Sequence, residues 1–122
     1  ASLIMPGVIA VNAATATIHS IQEKLKGQGA NLLNELGVVM LILTENPSWM
    51  AEDSNNFLWA CFTRTNPSHD MEGVDSFIEQ KHWGSNGPLI FDATIKKHHA
   101  PPVEKNVAIE EKVDAILAKY GY

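Results

Sequence analysis

The sequence predicts an α/β domain, layered α/β/α, with a small mixed, partly parallel sheet and a C-terminal amphipathic helix. Two apolar runs, Val38 to Leu43 and Pro88 to Ala93, lack polar alternation, as strands covered by helices on both faces do. Segments with helical spacing and cap residues lie between and after them. The 122 residues suffice for one core and fit one domain.

The elements follow in order. Val8 to Ala13 reads as a short strand, and Ala16 to Gln22 as a second, on its β-branched Thr17, Ile18 and Ile21. Gly27-Gln28-Gly29 breaks the chain. A helix from Gln28 to Leu36 sets Leu32, Leu33 and Leu36 on one side, with Gly37 as its stop. After the first apolar run, Asn46-Pro47-Ser48 marks a turn. A helix from Ser54 to Phe62 then places Phe57, Leu58, Cys61 and Phe62 on one face, with Asp53 or Ser54 accepting from its free N–H groups. Asn66-Pro67-Ser68 ends that unit. Met71 to Asn86 holds a short strand or helix near Phe77 and a loop through Gly84-Ser85-Asn86. His98 to Pro102 is a linker stiffened by Pro101 and Pro102. The final helix carries Ile109, Val113, Ile116, Leu117 and Tyr120 along one stripe and ends at Gly121. Residues 1–103 therefore form the α/β domain. Residues 104–122 form a helix that packs on it or on a neighbouring subunit.

Composition narrows the function. A formal charge of -5 and a single arginine, Arg64, make nucleic acid a poor partner. The lone Cys61 excludes an internal disulfide; its apolar setting suggests an inert thiol and a reducing, cytoplasmic compartment. No run approaches the roughly 18 apolar residues that span a bilayer. The five histidines show no metal-ligand spacing, and no serine sits in a nucleophile elbow. We therefore expect no metal ligand and no catalytic residue from these patterns. Lys24-Leu25-Lys26-Gly27-Gln28-Gly29 places two lysines before a glycine turn that opens a helix, an arrangement able to hold a phosphate. It is not a dinucleotide fingerprint, since Leu32 stands at the third glycine position. Arg64 and Asp70 flank a turn; a structural ion pair between them is the favoured reading, and carboxylate or phosphate binding by Arg64 the other.

Leu58-Trp59-Ala60, Thr63-Arg64, Pro67 and Asp70 resemble a signature of the C-terminal part of UbiD-type carboxy-lyases. Gly87, Asp92-Ala93 and Lys96 resemble a second element of that family, and Lys24 with Gly27-Gln28 a third, upstream one. Together they cover about residues 20 to 100, in the family's order. The resemblance implies a decarboxylase for aromatic or unsaturated acids, polyprenyl 4-hydroxybenzoate of ubiquinone biosynthesis being the best-known substrate. It implies prenylated FMN, a divalent metal (Mn or Mg) and K in the full enzyme, none of them bound by this chain alone. It places the catalytic residues in a preceding domain of the same enzyme, implies a homo-oligomer, and allows membrane association through a lipophilic substrate. On this chain it implies Lys24 at the flavin phosphate, though Glu23 is an alternative alignment. Phe77, Ile78 and Trp83 are implied along the substrate pocket, with His82 as a neighbour. Trp59, Arg64, Asp70 and Asp92 are implied as structural signature. Two other readings stay open: a non-catalytic oligomerisation module, and a stand-alone phosphate- or nucleotide-binding domain.

Overall fold

The computed structural model describes residues 1–99 and 106–121. Its elements are β1 (Ser2–Met5), β2 (Val8–Asn12), α1 (Ile18–Leu25), α2 (Gln28–Glu35), β3 (Met40–Thr44), α3 (Pro47–Glu52), α4 (Ser54–Arg64), β4 (Met71–Gly73), β5 (Ser76–Glu79), β6 (His82–Ser85), β7 (Leu89–Asp92) and α5 (Val107–Lys119). A five-stranded sheet runs in the order β1-β2-β3-β7-β4, and β5-β6 form a separate hairpin. The centre, β2-β3-β7, is parallel, while β1 and β4 are antiparallel edges. The sheet is mixed and partly parallel, as the two apolar runs predicted.

Helices cover both faces. Ile21 of α1 and Ala30 of α2 join Leu41, Leu43 and Ile90 in one core cluster. Met50 of α3 and Ala60 of α4 join Val8, Ala10 and Ile42 in another. Alternate residues of β3 thus serve opposite cores, and so β3 has no exposed position: Leu41, Ile42, Leu43 and the polar Thr44 are buried and Met40 is partly so.

Several elements differ from expectation for identifiable reasons. Residues 18–25 are helix, not strand. Thr17 accepts from the Ser20 N–H while the Ser20 hydroxyl accepts from the Thr17 N–H, closing a capping box. Ile18, Ile21 and Leu25 then lie three and four residues apart and pack on the sheet. The cap and the helical period outweigh the strand preference of the β-branched residues. Asn46-Pro47-Ser48 is a helix start instead of a plain turn: Asn46 Oδ1 accepts from the Trp49 N–H and Pro47 takes the first helical position, where no N–H is needed. Edge strand β1 is an added element, with no buried residue of its own. The predicted α4 face is only half buried. Ala60 is fully covered and Phe57 and Cys61 pack beside it, but Leu58 is exposed and Phe62 is 84% exposed. Burial pushes the Cys61 thiol up to about 11, so it stays a thiol at neutral pH.

Gly37 ends the turn after α2 with φ 72°, as its predicted stop position requires. Gly84-Ser85 belong to β6, not to a loop. Asn106 Oδ1 caps α5, whose described residues are all exposed, including Ile109, Val113, Ile116, Leu117 and Tyr120. The expected proline linker at Pro101 and Pro102 lies outside the described residues.

Candidate functional site

The hairpin β5-β6 sits at the end of the sheet where β7 begins. β4 pairs Gly73 with Leu89, the first residue of β7, and Val74 continues the exchange by donating to the Pro88 carbonyl at 3.1 Å. The hairpin is anchored by the Ser85 hydroxyl, which donates to the carbonyls of Val74 at 2.7 Å and Gly87 at 2.9 Å. Beyond that base it projects outward, and all four residues of β5 are exposed.

The expected pocket residues share this hairpin but divide between its faces. Phe77 pairs with Gly84, and its ring lies where a Gly84 side chain would stand: a Cβ there would meet Phe77 Cζ at 2.5 Å. Ile78 pairs with Trp83 on the other face, because successive strand residues point to opposite sides. The Trp83 ring reaches back to Gly73, where a Cβ would come within 2.9 Å of it. A groove of ≈ 420 Å³ lies along the Phe77 side, lined also by Glu79, Gln80, His82 and Trp83. Ile78 is 77% exposed.

The hairpin also concentrates backbone strain. Among the described residues the only non-glycines with positive φ are Asp75 (50°), Gln80 (49°) and Lys81 (68°). Gln80 and Lys81 form the two-residue turn between paired Glu79 and His82. Positive φ at both central positions is the type I′ arrangement, which favours Asn and Gly and not these two side chains.

The lysine turn lies at the same end. The Gly27 N–H donates to Asp75 Oδ2 at 3.1 Å, and Gln22 Nε2 donates to the Gly73 carbonyl at 3.3 Å. Asn34 donates to the Asn86 carbonyl. The turn after Lys24 is therefore tied to the base of the hairpin. Lys24 is exposed, with no hydrogen-bonding or ionic partner among the described residues. Lys26 is engaged, pairing with Glu23 at 2.6 Å, a contact that holds the Glu23 carboxyl below its ordinary range. The turn does not make a phosphate cradle by itself: Asp75 already occupies the Gly27 N–H, and Asp75 and Glu23 line the small cavity beside it.

At the opposite end of the sheet the two signature segments converge on one side chain. Lys96 Nζ donates to the carbonyl of Arg64 at 2.9 Å, to the carbonyl of Asp92 at 2.7 Å and to Asp92 Oδ1 at 3.2 Å, and stands 3.5 Å from Asp70 Oδ2. Asp70 Oδ2 also accepts from the Asn66 N–H at 2.8 Å, which fixes the turn. Burial alone would raise the Asp92 carboxyl; hydrogen bonds from the Thr94 hydroxyl, the Thr94 N–H and Lys96 outweigh it and hold the group below its ordinary range. The expected Arg64–Asp70 pair does not form, because Lys96 takes Asp70. Arg64 turns instead toward Glu45, 3.8 Å away, and lies 5.0 Å over the Trp59 ring. Lys96, which the sequence placed in the second resembling element, is thus the organising residue of the signature. Glu45 and Trp49 carry no sequence pattern that would single them out. Among the described residues no group of three or more His, Cys, Asp or Glu could hold a metal, and no helix is long and apolar enough to cross a membrane.

No family model matches the chain. In sequence it is 28% identical over 74 residues to one subunit of a 4-hydroxybenzoate decarboxylase of Chlamydia pneumoniae, a match that covers 61% of this chain and 13% of that protein. It is 27% identical over 81 residues to an uncharacterized protein of Chlamydia muridarum, covering 66% of this chain and 14% of the relative. Among solved structures it resembles vanillic acid decarboxylase of Sedimentibacter hydroxybenzoicus in its closed form, at 15% identity and a TM-score of 0.41, over 90% of this chain and 26% of that one. The chain thus spans about a seventh of the curated relatives it matches, one of which is a 4-hydroxybenzoate decarboxylase subunit.

Proposed function

We propose that this chain is the C-terminal domain of a UbiD-like, prenylated-flavin-dependent decarboxylase for an aromatic or unsaturated carboxylic acid, and that its hairpin closes the substrate pocket of a catalytic domain. The observation that carries this reading is the bond from Gly27 to Asp75, which ties the lysine turn to the substrate-side hairpin at one end of the sheet. Those are the two segments that the family resemblance assigns to the cofactor and substrate side. The sequence similarity to a 4-hydroxybenzoate decarboxylase supports the same class.

The division of labour follows from the residues. A flavin would supply the decarboxylation chemistry, with its metal and potassium held elsewhere, since the lysine turn offers the Lys24 ammonium and no completed cradle. Lys24 would add a single charge to a phosphate held mainly by the catalytic domain. The hairpin would present Ile78 and Trp83, or Phe77 across its other face, as an apolar wall against the acid's ring and exclude water there. Strain concentrated at Asp75, Gln80 and Lys81 fits a segment shaped for contact and not for its own stability. The exposed stripe of α5 would serve contact between protomers of a homo-oligomer.

The test is turnover of 4-hydroxybenzoate by the complete enzyme carrying Phe77→Ala and Trp83→Ala. The reading expects a loss in kcat/KM of about tenfold or more, equivalent to about 1.4 kcal/mol of transition-state stabilisation. Unchanged turnover and unchanged substrate preference would remove the hairpin from the pocket.

A further inference from the structure

A second cleft, of ≈ 660 Å³, opens at the other end of the sheet, lined by Thr44, Glu45, Asn46, Trp49, Trp59, Arg64 and Ile95 among others. Thr44 ends β3, and Ile95 follows the end of β7. This is the carboxyl edge of the parallel strands. The lining comes from the ends of β3 and β7 and from α3 and α4, and open α/β sheets hold ligands outside the carboxyl ends of their strands. The volume falls within the range of small-molecule sites.

Its chemistry is specific. Trp49 and Trp59 meet edge to face, their ring centroids 6.2 Å apart and their planes at 87°, which makes a two-sided apolar corner. The Arg64 side chain is only 12% exposed, yet its guanidinium has no hydrogen-bond acceptor among the described residues. Its carboxylate neighbour, Glu45 Oε2, stands at 3.8 Å, beyond hydrogen-bond reach, and the other Glu45 oxygen accepts from the Ile95 N–H at 2.6 Å. No side-chain nitrogen or oxygen among the described residues is both buried and unpartnered, so the free guanidinium N–H groups face water in the cleft, and an incoming acceptor would take that water's place. A planar fork suits a carboxylate, which it binds through two parallel hydrogen bonds. A single arginine beside Glu45 does not neutralise a dianionic phosphate.

We propose that this cleft binds a small aromatic monocarboxylate, its ring in the corner of Trp49 and Trp59 and its carboxylate on Arg64. In this arrangement Glu45 is a competitor: it holds Arg64 loosely in the free state and yields it to the ligand. The site shares no residue with the hairpin, so its failure would leave the proposed pocket-closing role untouched.

The chain carrying Trp83→Phe retains Trp49 and Trp59 as its fluorescent reporters. Titration with benzoate should give a saturable fluorescence change. Benzamide, neutral and of the same shape, should bind at least about tenfold more weakly, as should benzoate to Arg64→Gln. Glu45→Gln should tighten benzoate about threefold or more, because it removes the competing charge while still able to accept from Ile95. That gain separates ligand binding from mere damage, which only weakens. No saturable change up to about 10 mM benzoate, equal binding of benzamide, stronger binding of inorganic phosphate than of benzoate, or weaker binding in Glu45→Gln would each overturn the proposal.

Discussion

Replacing Lys96 by Met tests whether one ammonium holds the signature together. Methionine keeps much of the apolar stem but removes donors to two carbonyls and two carboxylates. A hydrogen bond involving a charged group contributes about 1.5–3 kcal/mol net, and breaking a buried ion pair costs about 3–5 kcal/mol. The Lys96 side chain is 20% exposed and that of Asp92 27%, so water can replace part of what is lost. The expected cost is therefore about 2–3 kcal/mol, with a fall of about 10 °C in Tm for a chain of this size. Urea unfolding followed by circular dichroism would measure it as a lower midpoint at constant slope. Asp70→Asn is the matching control: its side-chain oxygen still accepts from the Asn66 N–H while the more distant charge contact is lost, so about 1 kcal/mol or less is expected. If Lys96→Met lies within about 0.5 kcal/mol of the wild type, the cluster is not what joins α4 to β7.

The pH response of the same cluster has a definite sign. The Asp92 carboxyl is held below its ordinary value in the folded chain, so its contribution is present above the unfolded value of about 3.9 and is lost as pH falls through the folded value. Asp92→Asn should destabilise at pH 7, and its gap from the wild type should narrow below about pH 4 in acid unfolding curves. At the hairpin tip, Gln80→Asn with Lys81→Gly should relieve the two positive-φ positions and raise stability by about 1 kcal/mol, read from the urea midpoint; a decrease would contradict the type I′ turn.

Much of the architecture was legible before folding, because its signals are local. The unalternating run around Leu41 to Leu43 marked a strand covered on both faces, Gly37 marked a positive-φ stop, and the stripe from Ile109 to Tyr120 marked α5. The misreading of residues 18–22 has a physical cause. Thr17 and Ile18 favour strand one by one, while the reciprocal bonds between Thr17 and Ser20 decide for helix as a pair. The candidate sites were legible only in part. Motif order brought Trp59, Arg64, Asp70 and Asp92 to attention, yet which charge meets which depends on tertiary approach. Lys96 reaches across 32 residues to the Arg64 carbonyl, and Glu45 across 50 residues to the Ile95 N–H. The second cleft was signalled only by Arg64, read as a possible carboxylate or phosphate binder, and by Trp59; Trp49 comes to face Trp59 only when α3 forms and packs on α4.

The central claim is that the hairpin faces the substrate of a carboxylate-consuming enzyme. Ile78→Glu addresses it directly. Ile78 is 77% exposed, so the change leaves the fold of this chain intact while setting a negative charge on the proposed pocket wall. Decarboxylation of 4-hydroxybenzoate by the complete enzyme should then lose about tenfold or more in kcat/KM through repulsion of the acid and a wetter pocket, with Tm unchanged. Wild-type kcat/KM in a folded Ile78→Glu enzyme would contradict the account.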